Sequence, residues 1–162
     1  MPRGSNAPSH ASTAVDRRQG IALACAGLVS LVLRPGRALA QLRRPTQEAI
    51  DAIAKGRPVR PGRVTLRMPP IAENGSTVPL TVLVDSPMTA ADHVRAIHIL
   101  ADRNPFAEVA SFHLTPAMGR AELSTRIRLQ ETQDVLAIAE LSDGSVVSGS
   151  VSVTVTIGGC TG

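Results

Sequence analysis

Val151-Ser152-Val153-Thr154-Val155-Thr156-Ile157 decides the fold class. Its apolar residues recur at every second position, which places Val151, Val153, Val155 and Ile157 on one face of an extended chain and Ser152, Thr154 and Thr156 on the other. β-Branched residues stand at nearly every position, and their restricted χ1 favours a pleated strand over a helix. The stretch reads as a stiff, half-buried strand that begins at Val146 and stops at Gly158-Gly159. Two glycines remove the Cβ restraint, so the stiffness is expected to end there. The five residues Gly158-Gly159-Cys160-Thr161-Gly162 would form a flexible arm, reaching at most about 17 Å if fully extended.

The same period continues toward the N-terminus. Val64 to Met68 reads as a short strand ended by Pro69-Pro70, and Asn74-Gly75 as a turn. Strands are predicted over Val78–Val84, His93–Leu100 and Val109–Leu114, each closed by a proline-containing stretch. Ala121–Leu129 alternates, with Leu123, Thr125, Ile127 and Leu129 on one face and Glu122, Ser124, Arg126 and Arg128 on the other. Val135–Leu141 is apolar almost throughout, the mark of a central strand, and Asp143-Gly144 turns it into the last one. Seven strands with regular turn signals predict an all-β, immunoglobulin-like sandwich over 63–157. Residues 41–62 form a helix and linker ahead of it. Thr46 is the expected N-cap, Ala49, Ile50, Ile53 and Ala54 the buried face, Gly56 the stop, and Pro58, Pro61 and Gly62 the linker.

Residues 1–40 read as an address. Arg17-Arg18 precede an uncharged apolar run from Gly20 to Leu33, and Ala38-Leu39-Ala40 is a small-residue cleavage site. The run is shorter than the ~20 residues of a membrane span, and the paired arginines suggest the twin-arginine route. The expected location is therefore the periplasm, with no membrane contact after signal cleavage. Cys25 lies inside the apolar run, and Ala22-Leu23-Ala24 before it is a poor lipobox. Cleavage after Ala40 would discard Cys25 and leave Cys160 as the sole cysteine, which cannot form an internal disulfide.

Composition excludes some functions. Of the formal charge of +4, the first forty residues carry five arginines against a single acid, leaving 12 basic and 12 acidic residues beyond them. A neutral domain lacks the footprint of a nucleic-acid binder, and 1% aromatic content offers no stacking surface. No Gly-rich phosphate loop, HExxH or CxxC motif is present, and no local pair of carboxylates suggests acid–base hydrolysis. His93, His98 and His113 are candidate metal ligands with Cys160. His93 and His98 differ by five, however, and so fall on opposite faces of an ideal strand; no metal is expected. Arg126 and Arg128 suit an anion or a partner, but a solvated strand face is the plainer reading.

A lone thiol on a loose tail suits a covalent carrier, because a thiolate is a strong nucleophile and a tether can present one adduct to several active sites. The alternative is an exported structural or interaction protein that forms a disulfide dimer through Cys160. A third reading is an exported metal-binding protein.

Several stretches resemble the SoxY family of bacterial thiosulfate oxidation. They are Ala72-Glu73-Asn74-Gly75 with Val78-Pro79, Asp85-Ser86-Pro87-Met88-Thr89, Asn104-Pro105 leading to Val109-Ala110, Phe112-His113-Leu114-Thr115-Pro116, Thr125-Arg126-Ile127-Arg128-Leu129, Ser142-Asp143-Gly144, and the ending Val155-Thr156-Ile157-Gly158-Gly159-Cys160. The resemblance implies a non-catalytic sulfur carrier with no cofactor of its own. Sulfur would attach covalently to Cys160, with Gly158, Gly159 and Gly162 as the arm's hinge. It also implies a heterodimer with a SoxZ-like β-sandwich subunit, and sulfur-oxidising enzymes of the SoxAX, SoxB and SoxCD type. The family's usual ending is Gly-Gly-Cys-Gly-Gly. Thr161 stands here for the first trailing glycine, a stiffer and bulkier residue that either narrows access to a partner's channel or is simply tolerated.

Overall fold

The computed structural model describes residues 42–159. The predicted signal segment, Cys25, Cys160, Thr161 and Gly162 lie outside the described residues. Among the described residues one helix, α1 (Arg44–Ala54), precedes nine strands: β1 (Val59–Pro61), β2 (Val64–Arg67), β3 (Ile71–Asn74), β4 (Val78–Val84), β5 (Val94–Ala101), β6 (Glu108–His113), β7 (Ala121–Ile127), β8 (Gln133–Leu141) and β9 (Val146–Ile157). A 3-10 turn, Pro116–Met118, stands before β7.

The strands form two sheets. The larger runs β1-β9-β8-β5-β6, with β3 also paired to β9, and the smaller runs β2-β4-β7. The core between them is built from the alternating residues of the facing strands. Val78, Leu80, Val82 and Val84 of β4 meet Ile97, Ile99, Val135, Ala137, Ala139 and Leu141 of β5 and β8. This is the all-β sandwich expected from the sequence.

The continuous apolar run of β8 is explained by burial on both faces. Val135, Ala137, Ala139 and Leu141 enter the sandwich, while Leu136 and Ile138 face outward and are covered by Ile50 and Ile53 of α1, with Leu100 and Val146 beside them. The helix is too short to be stable in isolation, so this packing holds it in place.

Four local expectations need correction. First, α1 is not capped by Thr46: the N-cap is Arg43, Pro45 occupies the first turn, and Thr46 is fully buried. The chain entering the helix is held instead from another element, the Arg43 N–H donating to Asp102 Oδ1 at 2.9 Å. Second, the helix ends through Lys55, which takes the left-handed conformation with φ 51°, and Gly56 follows with φ 79°. Third, the Pro58–Gly62 linker contains β1, and the stretch before Asn74-Gly75 is β3; both pair in parallel with β9. Strands of three and four residues are too short for alternation to show. Fourth, His93 and His98 do not lie on opposite faces. Val94 pairs with Leu141 and Ala96 with Glu140, so two residues of β5 stand opposite one of β8. This β-bulge shifts the alternation by one residue and brings both imidazoles to the outer face of the larger sheet.

Candidate functional site at the end of the last strand

The stretch leading to Cys160 leaves the sandwich at the end of β9. There β9 pairs with β3, Asn74 opposite Ile157. Three backbone hydrogen bonds then follow one another across three segments. The Gly75 N–H donates to the Ile157 carbonyl at 2.7 Å, the Leu129 N–H to the Gly75 carbonyl at 2.8 Å, and the Gly159 N–H to the Leu129 carbonyl at 2.9 Å. Asn74 Oδ1 accepts the N–H of Ser76 at 2.8 Å and its hydroxyl at 2.7 Å, fixing the turn that aims Gly75.

The backbones meet here at distances that only glycine tolerates. A Cβ on Gly75 would lie 2.1 Å from the Leu129 carbonyl oxygen and 2.9 Å from the Gly159 nitrogen. One on Gly159 would lie 2.3 Å from the Gly75 carbonyl, and one on Gly158 2.2 Å from the Gln130 oxygen. Gly158 and Gly159 are thus seated against the body.

The loop that receives them is itself pinned. Asn104 Nδ2 donates to the Arg128 carbonyl at 2.8 Å, and Asn104 Oδ1 accepts the Gln130 N–H at 3.0 Å and Gln133 Nε2 at 3.0 Å. Gln133 Oε1 in turn accepts the Arg103 N–H at 2.7 Å. Thr132 Oγ1 accepts the Val155 N–H at 2.9 Å. Asn74-Gly75, Asn104 and Leu129 are far apart in sequence and converge on this one place. Sequence reasoning took Asn74-Gly75 as a turn and Asn104-Pro105 as a strand stop; nothing local marked either as a support for the chain end.

The histidines lie elsewhere. His93 precedes β5, at the end of the sheet opposite Asn104. It lines an open cleft of about 540 Å³ with His113, Arg95, Arg57 and Glu140. His98, 13% exposed, is already engaged: Nδ1 lies 2.8 Å from Ser111 Oγ and 3.4 Å from Glu108 Oε1, and Nε2 lies 3.3 Å from Glu140 Oε1. Burial pushes the Glu140 carboxyl up, but hydrogen bonds from Arg57 and His98 outweigh it and hold the group below its ordinary value. Arg57 also donates to the Ile53 and Ala54 carbonyls, so this group ties the end of α1 to β8. Among the described residues no cluster of three or more His, Cys, Asp or Glu could hold a metal ion. Arg126 and Arg128 stand exposed, as does Ser124. Among the described residues no helix is long and apolar enough to cross a membrane.

Comparisons with known proteins bear on the family and the fold. A solved structure, the sulfur carrier protein SoxY from Chlorobium limicola f thiosulfatophilum, is 30% identical, with a TM-score of 0.58, over 68% of this chain and 96% of that one. The superoxide reductase (neelaredoxin) of Ignicoccus hospitalis is 15% identical, with a TM-score of 0.51, over 58% of this chain and 80% of that one; at that identity the likeness shows the fold alone. No curated protein matches. The family model described as sulfur oxidation protein SoxY matches residues 50–160, from the buried face of α1 through to Cys160, and the chain belongs to the SoxY family.

Proposed function

We propose that this protein is an exported, periplasmic carrier that holds sulfur intermediates of thiosulfate oxidation on the Cys160 thiol and presents them to partner enzymes. The observation that carries the reading is the family match extending to residue 160, together with a 30%-identical relative that is a sulfur carrier. The carrier is non-catalytic. Gly158, Gly159 and Gly162 belong to the arm that bears the thiol, and a SoxZ-like sandwich subunit is its partner.

The Cys160 thiol loses a proton, its sulfur bonds to the terminal sulfur of thiosulfate, and two electrons pass to a haem enzyme of the SoxAX type. Water then attacks the sulfonate sulfur in an enzyme of the SoxB type. The S–S bond to the sulfonate breaks, sulfate and a proton leave, and a persulfide remains on Cys160. An enzyme of the SoxCD type, where present, oxidises that sulfane sulfur further. The thiolate supplies the nucleophile, and the partners supply oxidation and hydrolysis.

Intact mass spectrometry tests the reading. Incubation with thiosulfate and the partner enzymes should add mass that reductant removes and that Cys160→Ser abolishes. An unchanged mass in the wild-type protein would sink it. A reducible homodimer that takes up no sulfur would favour the structural alternative.

A further inference from the structure

The glycine pair before the cysteine is the expected hinge of the arm, and the packing around it supports a different role. Ile157, Gly75, Leu129 and Gly159 are joined in sequence by three backbone hydrogen bonds of 2.7, 2.8 and 2.9 Å. Gly75 is common to the first two, and its Cα sits where any side chain would strike both the Leu129 oxygen and the Gly159 nitrogen. Leu129 is fully buried and belongs to the sandwich core, so the acceptor that holds Gly159 is itself fixed. Gly158 is closed in from the other side by the Gln130 carbonyl.

We infer that Gly75 is the positioning residue of the carrier arm: it clamps Gly158-Gly159 to the body immediately before Cys160. The glycines on both sides of the contact are selected by close approach rather than by freedom of φ. Gly75, Gly158 and Gly159 are not among the residues with positive φ, so their conformations do not call for glycine. Cys160 itself stands one residue from the fixed point. A partner that takes the thiol must therefore approach the end of β9, where Ile157 is 63% exposed, or pull the clamp apart.

This inference rests on the carrier reading only in naming Cys160 as the cargo residue, and its test does not read sulfur. Amide hydrogen exchange followed by NMR should show Gly159 protected at least about tenfold more than Gly162. A nitroxide attached to Cys160, in a chain carrying Cys25→Ser, should gain mobility in Gly75→Ala. In that variant Gly159 should lose its protection while the amides of β8 keep theirs. Should Gly75→Ala fail to fold, Gly159→Ala removes the same seat from the arm side, next to the chain end, and should give the same gain in mobility. A Gly159 amide that exchanges as fast as Gly162 in the wild-type protein overturns the clamp. So does a label whose mobility neither substitution changes. Failure of Cys160 to take up sulfur would leave these readouts untouched and would count against the carrier reading alone.

Discussion

Asn104 and Gln130 are joined across 26 positions of sequence, the Gln130 N–H donating to Asn104 Oδ1 at 3.0 Å. With its amide nitrogen Asn104 also holds the Arg128 carbonyl at 2.8 Å. One side chain therefore fixes both backbone groups flanking Leu129, whose own carbonyl receives the Gly159 N–H. Asn104→Ala removes these bonds together and is expected to cost about 1–2 kcal/mol. Denaturant titration should show a lower midpoint with an unchanged m-value. Amide exchange should show the Gly159 N–H opening more readily, because its acceptor has lost its brace. A variant that folds with wild-type stability and wild-type protection at Gly159 would show that Asn104 does not support the arm.

Glu140 makes stability depend on pH. Its carboxyl is held below the ordinary value of 4.5 in the folded chain, since the hydrogen bonds from Arg57 and His98 overcome the opposing effect of burial. A folded value below the unfolded one means that the unfolded chain binds the proton more readily. The contribution is therefore complete above about pH 4.5 and is lost as pH falls through the folded value. Arg57→Ala should lower stability at neutral pH by on the order of 1 kcal/mol and flatten the loss in acid. Urea titrations between pH 3 and 7 check this; parallel wild-type and variant profiles would refute it.

The fold was largely legible because its signals are local. Val78–Val84 and Val146–Ile157 alternate or run apolar over many residues, and both appear as strands with those bounds. Val135–Leu141 read as central and lies between β5 and β9. What was not legible depends on contacts between distant segments. β1 and β3 exist because β9 offers them a parallel edge, and three or four residues cannot show a period. Thr46 has the chemistry of a cap but is buried, while Asp102 holds the helix start from 59 positions away. The chain end was half legible. The glycines before Cys160 were visible, but their reason was not, because Gly75 and Leu129 meet them only in the folded sandwich.

The β-bulge at Arg95 puts His93 on the face of His98, and His113 joins them from β6, opposite Ala96, an arrangement that resembles a metal site. The partners of His98 argue against it, since Ser111, Glu108 and Glu140 already occupy both ring nitrogens. The purified protein, loaded with zinc or copper and dialysed, should retain neither in stoichiometric amount. Retention of one equivalent, lost in His98→Ala, would reverse this.

Ile50 is the residue through which the N-terminal helix depends on the sandwich. It is 2% exposed and packs with Leu100, Leu136 and Ile138 on the outer face of β5 and β8. Ile50→Ala removes its apolar contacts and leaves a cavity beneath α1, at a cost of about 2–4 kcal/mol. The effect should exceed that of a typical interior alanine substitution in a longer helix, because eleven residues have little helicity without tertiary support. Loss of the helix would also strip the cover from Leu136 and Ile138, exposing an apolar patch on a central strand. The expected result is a lower urea midpoint, reduced helical signal in far-ultraviolet circular dichroism, and stronger binding of a hydrophobic dye, with the β-sheet signal retained. A change below about 0.5 kcal/mol would place the anchor of α1 elsewhere.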